Sequence, residues 1–184
     1  MGPGPIDPHI ERALDIGAAL RGAPNIALDL GSGGGLPGLP LALAWTQTRW
    51  ILLEGGSKRA AFLEEATVTL GLQGRVEVVA QRAEEAGRGP LRGSVDCVVA
   101  RSFGPPAVTA ECAAPFLRVG GNLIVAEPPG GAPNRWDDAA LSLLGMRPGR
   151  VGSGRTSYQV IDQSAPCPDR YPRRTGVPGK RPLF

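Results

Sequence analysis

The run Asp29-Leu30-Gly31-Ser32-Gly33-Gly34-Gly35 sets a carboxylate directly before a glycine-rich turn, an order of residues suited to cradling a ligand. Glycines permit a tight turn and let a ligand approach the backbone, while the helix start behind the turn offers unpaired N–H groups. Two frames fit the same residues. Gly33-x-Gly35-x-x-Gly38 satisfies the dinucleotide pattern, with Glu54 about 20 residues on as the ribose acceptor. Asp29-x-Gly31-x-Gly33-x-Gly35 instead offers a carboxylate and three alternate glycines, which suits a cationic amino group and a sulfonium. Pro37 removes an N–H where a pyrophosphate would need one. The residues therefore favour S-adenosylmethionine over NAD, with a purely structural glycine turn as the third reading.

Other chemistry-bearing residues fall at strand ends. Glu54 closes an apolar run and is placed to accept from both ribose hydroxyls of a nucleoside. Ala83-Glu84 follows the next run, where backbone and side chain would meet an adenine edge; its plain alternative is an acidic first turn of a helix. Arg101 and Phe103 follow another, as a holder of a phosphate or base edge and a stacking face. Lys58, Arg59 and Arg82 continue the positive charge on that rim. The only histidine, His9, falls in a leading helix far from every expected loop end and reads as a solvent-facing residue.

Alternating apolar segments must position these groups. A short leading helix over 8–20 puts Ile10 and Leu14 on its apolar face, with Ala18 or Leu20. Buried strands are expected at 26–30, 50–53, 76–79, 95–100 and 122–127. Helices are expected at 39–45, at 57–70 with Ser57 as N-cap and Phe62, Leu63, Ala66 and Leu70 inward, and within 106–117. Residues 83–86 read as a turn. Five strands separated by helices imply an α/β fold with a parallel sheet covered on both faces. Beyond 127 come a loop at 128–131, a helix at 136–144, glycine punctuation at 149–154 and an alternating strand at 157–163.

The chain of 184 residues is read as one ligand-binding domain, 1–163, with a proline-rich extended arm, 164–184. Residues 1–146 hold 12 basic and 15 acidic side chains, whereas 147–184 hold 8 and 2. Arg170, Arg173, Arg174, Lys180 and Arg181, interleaved with Tyr171 and prolines, suit an arm lying along RNA phosphates. Cys97, Cys112 and Cys167 form no C-x-x-C pair, so neither a disulfide framework nor a metal site is expected. No apolar run reaches the roughly 18–20 residues of a membrane span. The expected setting is the reducing cytoplasm, and the expected state a monomer.

The runs ALDLGSGGGLPGLPLALA (27–44), LLEGGSKRAAFL (52–63), AQRAEEAG (80–87), VVARSFG (98–104) and APCPDRYPRRTGVPGKRPL (165–183) closely resemble the bacterial small-subunit ribosomal RNA guanine-N7 methyltransferases, also called glucose-inhibited division protein B. The resemblance implies a Rossmann-like class I methyltransferase fold with a mostly parallel seven-stranded sheet. It implies cofactor contacts at Gly31, Leu36, Ala83, Glu84 and Arg101, with 16S ribosomal RNA or the small ribosomal subunit as partner. Guanine N7 has a free lone pair and no proton to lose, so in-line attack on the sulfonium methyl needs no general base, in keeping with a chain so poor in histidine. Two other readings are an RNA-binding homologue of weak or no activity and a small-molecule methyltransferase.

Overall fold

The computed structural model describes residues 5–20, 22–128, 135–152 and 156–184; the expected loop residues 129–131 and the glycine at 154 lie outside them. Seven strands, β1 (Ile26–Leu30), β2 (Arg49–Leu53), β3 (Val76–Val79), β4 (Val95–Ala100), β5 (Leu117–Ala126), β6 (Met146–Gly152) and β7 (Tyr158–Gln163), form one sheet. Its order is β3-β2-β1-β4-β5-β7-β6. β1 to β5 run parallel, whereas β7 enters antiparallel between β5 and β6. The strand order reverses between β1 and β4, the switch point where such sheets bind ligands.

Alternation along the strands divides the core in two. Leu28, Leu30, Ile51, Leu53, Val98, Ala100, Leu123 and Val125 pack on one face, beneath α4 (Ala83–Ala86), α5 (Pro106–Ala113) and α6 (Asp138–Leu143). Ala27, Trp50, Leu52, Cys97, Val99 and Ile124 pack on the other, beneath α1 (Asp7–Gly17), α2 (Gly38–Ala44) and α3 (Ser57–Thr69). Full burial of each large aliphatic side chain contributes roughly 1.5–3 kcal/mol. That is why the central strands β1 and β4 are dominated by apolar residues, with Asp29 in β1 and Asp96 in β4 as the exceptions.

Several local expectations are corrected. The inward residues of α1 are Ala13 and Ile16, while Leu14 is exposed. Those of α3 are Ala60, Leu63 and Thr67, leaving Phe62 and Leu70 exposed; Gly56 stands at the N-cap in place of Ser57. Large apolar side chains marked the wrong stripe because small residues pack where a helix comes close to the sheet. Residues 83–86 form a short helix rather than a turn, and α6 starts one residue after Asp137, whose side chain caps Ala140 N–H at 2.7 Å. The glycine punctuation expected from 149 onward falls partly within β6, where Pro148 and Gly149 are tolerated because it is an edge strand.

The C-terminal segment is not an extended arm. Tyr171 is buried, and near its end the segment forms a four-residue helix, α7 (Val177–Lys180). A proline-rich chain has few N–H donors but a full set of carbonyls, and here arginines of the body donate to them. Arg88 Nη2 donates to the Pro172 carbonyl at 2.7 Å, and Arg92 donates to those of Tyr171 and Cys167, each at 2.8 Å.

Candidate active site

The loop after β1 wraps a cavity of about 680 Å³ at the switch point, within the usual range of about 300–1,000 Å³ for small-molecule sites. Gly31, Gly33, Leu36, Glu54, Ala83, Glu84, Arg101, Arg59, Arg82 and Phe103 all line it, so most of the residues picked from the sequence converge. Asp29, Gly35 and Lys58 are not on its wall. Gly31 and Gly33 have φ of 70° and 55°, conformations that L side chains rarely adopt.

Asp29 does different work from a ligand contact. Strand alternation turns its buried side chain to the α2 face, where Oδ2 accepts from Gly38 N–H at 2.9 Å. Burial pushes its carboxyl up to about 7, against the lowering by the Gly38 N–H, the Ser32 hydroxyl and Arg101. With Pro37 lacking an N–H, Gly38 spent on Asp29 and Leu39 N–H donated to the Gly35 carbonyl at 2.8 Å, the start of α2 presents no donors to a pyrophosphate. The dinucleotide frame fails on that point.

Glu54 ties the cavity rim together. Its Oε2 accepts from Gly33 N–H at 2.9 Å, and its Oε1 accepts from Gly56 N–H and Arg59 Nη2, each at 2.7 Å. Burial alone would push this carboxyl up; the Arg59 bond and the two N–H groups outweigh it and hold the group below the ordinary range. Glu84 is likewise held low: burial raises it, but Gly176 N–H, donating to Oε1 at 3.0 Å, its own N–H and Arg82 prevail. Gly176 and Gly179 of the tail therefore complete the cavity wall, a contribution with no local signal in the sequence.

A second cavity, of about 510 Å³, adjoins the first and shares Arg101, Ser102 and Phe103 with it. Ser102 has φ of 56°, the one positive value outside glycine among the described residues, at the wall between the two. His9, Arg12, Glu127, Arg135 and Trp136 line the second cavity. His9 is thus not the solvent-facing bystander expected: α1 brings it to a cavity that Arg101, just after β4, and Val125 and Ala126 of β5 also line. Glu127 accepts from Trp136 Nε1 at 2.8 Å and pairs with Arg135, so its charge is neutralised at the wall. Among the RNA-facing candidates, Arg173 is consumed inside the protein by Glu111, while Arg170, Arg174, Lys180 and Arg181 remain exposed.

Fold and paired cavities together define a class I S-adenosylmethionine-dependent methyltransferase. The sequence profile of the GidB family, described as rRNA small subunit methyltransferase G, matches residues 6–127, and the chain belongs to that family. It is 37% identical over 193 residues to the "Ribosomal RNA small subunit methyltransferase G" of Rubrobacter xylanophilus, covering 95% of this chain and 72% of that protein. With the protein of the same description from Moorella thermoacetica, identity is 39% over 180 residues, covering 93% and 72%. Among solved structures, geranyl diphosphate C-methyltransferase from Streptomyces coelicolor, in complex with Mg2+, geranyl diphosphate and S-adenosyl-L-homocysteine, superposes with a TM-score of 0.67 at 12% identity, covering 83% of this chain and 78% of that one. The last likeness carries the fold alone. The cofactor of this enzyme is S-adenosylmethionine. Among the described residues no group of His, Cys, Asp and Glu could hold a metal ion, and no helix is long and apolar enough to cross a membrane.

Proposed function

We propose that this chain methylates N7 of a guanine in 16S ribosomal RNA, acting as a monomer in the cytoplasm on the RNA or on the small ribosomal subunit. The observation that carries the reading is the pair of cavities meeting at Arg101-Ser102-Phe103, one sized for the cofactor and one open beside it for a base. When bound, the cofactor supplies an electrophilic methyl group and leaves as S-adenosylhomocysteine.

The chain's own residues bind and orient. Gly31, Gly33 and Leu36 offer backbone contact along the loop, Glu54 faces the ribose hydroxyls and Ala83-Glu84 the adenine edge. Gly33 leaves room for a ligand, since a Cβ built there meets nothing closer than 3.7 Å. Phe103 and Trp136 give the base aromatic faces beside the cofactor. N7 brings its own lone pair, so no side chain need remove a proton; alignment and exclusion of water supply the rate, with effective molarities on the order of 10⁵ M. Exposed Lys58, Arg59, Arg82, Arg170, Arg174, Lys180 and Arg181 attract phosphates.

Labelled methyl transfer to 16S RNA and to small subunits, followed by nucleoside analysis, should yield 7-methylguanosine. Label in another nucleoside would overturn the target, and no label in either substrate would overturn the RNA reading.

A further inference from the structure

The second cavity carries more positive charge than a site for a neutral base requires. Along α1, His9, Arg12 and Ile16 recur at helical spacing and line it together, while buried Ala13 and Ile16 fix the helix on the body. Arg101 lines the same cavity from the end of β4. Burial and the neighbouring Arg12 work against the Arg101 charge while Asp29 attracts it, and neither arginine forms an ion pair among the described residues. The carboxylate on the wall, Glu127, is spent on Arg135 and Trp136, and Asp15, one turn along α1, accepts from the Thr156 hydroxyl at 3.4 Å. His9 adds a ring nitrogen, Nδ1, that is buried without a partner. Two unpaired guanidiniums in one concavity cost Coulomb energy that an anion between them removes.

We infer that Arg12 and Arg101 form a phosphate subsite in the second cavity, which takes the phosphodiester attached to the target nucleoside. The inference rests on the RNA reading above. A base lodged at the Phe103 wall carries its phosphate only a few bonds away, so an anion site in the same cavity anchors the nucleotide as a unit and selects RNA over a free base. Guanidinium forks suit phosphate oxygens, and an unpaired one has its donors free. Arg12 in this view is a binding residue supplied by the leading helix, which the glycine loop and the strand ends do not predict.

The test uses the full chain with S-adenosylhomocysteine present, comparing guanosine 5′-monophosphate with guanosine as probes. The wild type should prefer the monophosphate by about tenfold or more, and Arg12→Gln should reduce that preference below about threefold, with Arg12→Lys between them. In methyl transfer, Arg12→Gln should raise KM for RNA about tenfold and lower the salt slope of RNA binding by about one, leaving S-adenosylhomocysteine affinity unchanged. Arg49→Gln, an exposed arginine at the start of β2, serves as the charge control and should leave the preference intact. Equal binding of the two probes by the wild type, or a preference that survives Arg12→Gln, overturns the subsite. If the wild type shows the preference yet labels no RNA, the RNA reading fails while the subsite stands.

Discussion

Arg173 donates four hydrogen bonds to the fully buried Glu111: Nη2 to Oε2 at 2.6 Å, Nε to Oε1 at 2.8 Å and to Oε2 at 3.1 Å, and its own backbone N–H to Oε1 at 2.8 Å. This pair pins the C-terminal segment to α5, and Gly176, three residues on, then reaches Glu84 in the cofactor cavity. A side chain read as an RNA contact is thereby a fastener of the active-site wall.

Arg173→Ala leaves a buried carboxylate uncompensated and should cost about 3–5 kcal/mol of stability, whereas Arg173→Ala with Glu111→Leu should recover much of it. Urea unfolding of the two single variants and the double variant gives the coupling. Additive losses would mean that the pair is not an energetic unit.

Gly31→Ala should destabilise the protein and weaken cofactor binding by at least about tenfold. The new Cβ would sit at a φ of 70° and only 2.6 Å from the Phe103 ring, the wall shared by both cavities. Strain in that region costs on the order of 1–3 kcal/mol. Titration with S-adenosylmethionine reads the effect; unaltered affinity would show that the loop relaxes away from Phe103.

Glu54→Gln keeps the shape of the rim but exchanges an acceptor-only carboxylate for an amide, so the Gly33, Gly56 and Arg59 donors cannot all be satisfied. Affinity for S-adenosylmethionine should fall about tenfold or more, consistent with a cost of about 1–3 kcal/mol for unmet buried donors. Isothermal titration at fixed pH measures it. Retention of full affinity would remove Glu54 from the binding set.

Asp29, with its carboxyl raised from 3.8 to about 7 by burial, binds a proton in the folded state where the unfolded chain has already released it. Its contribution to stability is therefore greatest near pH 4 and declines as pH rises to about 7, above which the buried charge carries its full penalty. Asp29→Asn keeps an acceptor for Gly38 N–H and removes the titration, so its stability relative to wild type should climb across that interval. Parallel unfolding curves from about pH 4 to pH 8 decide the matter; a pH-independent difference would mean that Asp29 titrates normally.

Arg174→Gln should lower the salt slope of RNA binding by about one without loss of stability, because this side chain is exposed and bonds to none of the described residues. Binding measured over a range of salt concentrations checks it. An unchanged slope would place the RNA path elsewhere.

The sequence by itself determined the parallel strands and the ligand end of the sheet: runs such as Ile26–Leu30 and Val95–Ala100 are largely apolar, each broken by a single aspartate, and the glycines after β1 mark a turn suited to close approach by a ligand. It also supplied most of the cofactor wall, since Glu54 and Arg101 directly follow strands and Ala83 lies four residues after one. Only the tertiary structure decided that Asp29 serves Gly38, that His9 and Arg12 cross to the second cavity, and that Arg173 and Gly176 close the first. Periodicity reports which face of an element is buried near its own chain neighbours. Pairings such as Glu111 with Arg173, 62 positions apart, depend on how separate elements meet in space, and no local pattern of residue types encodes that meeting.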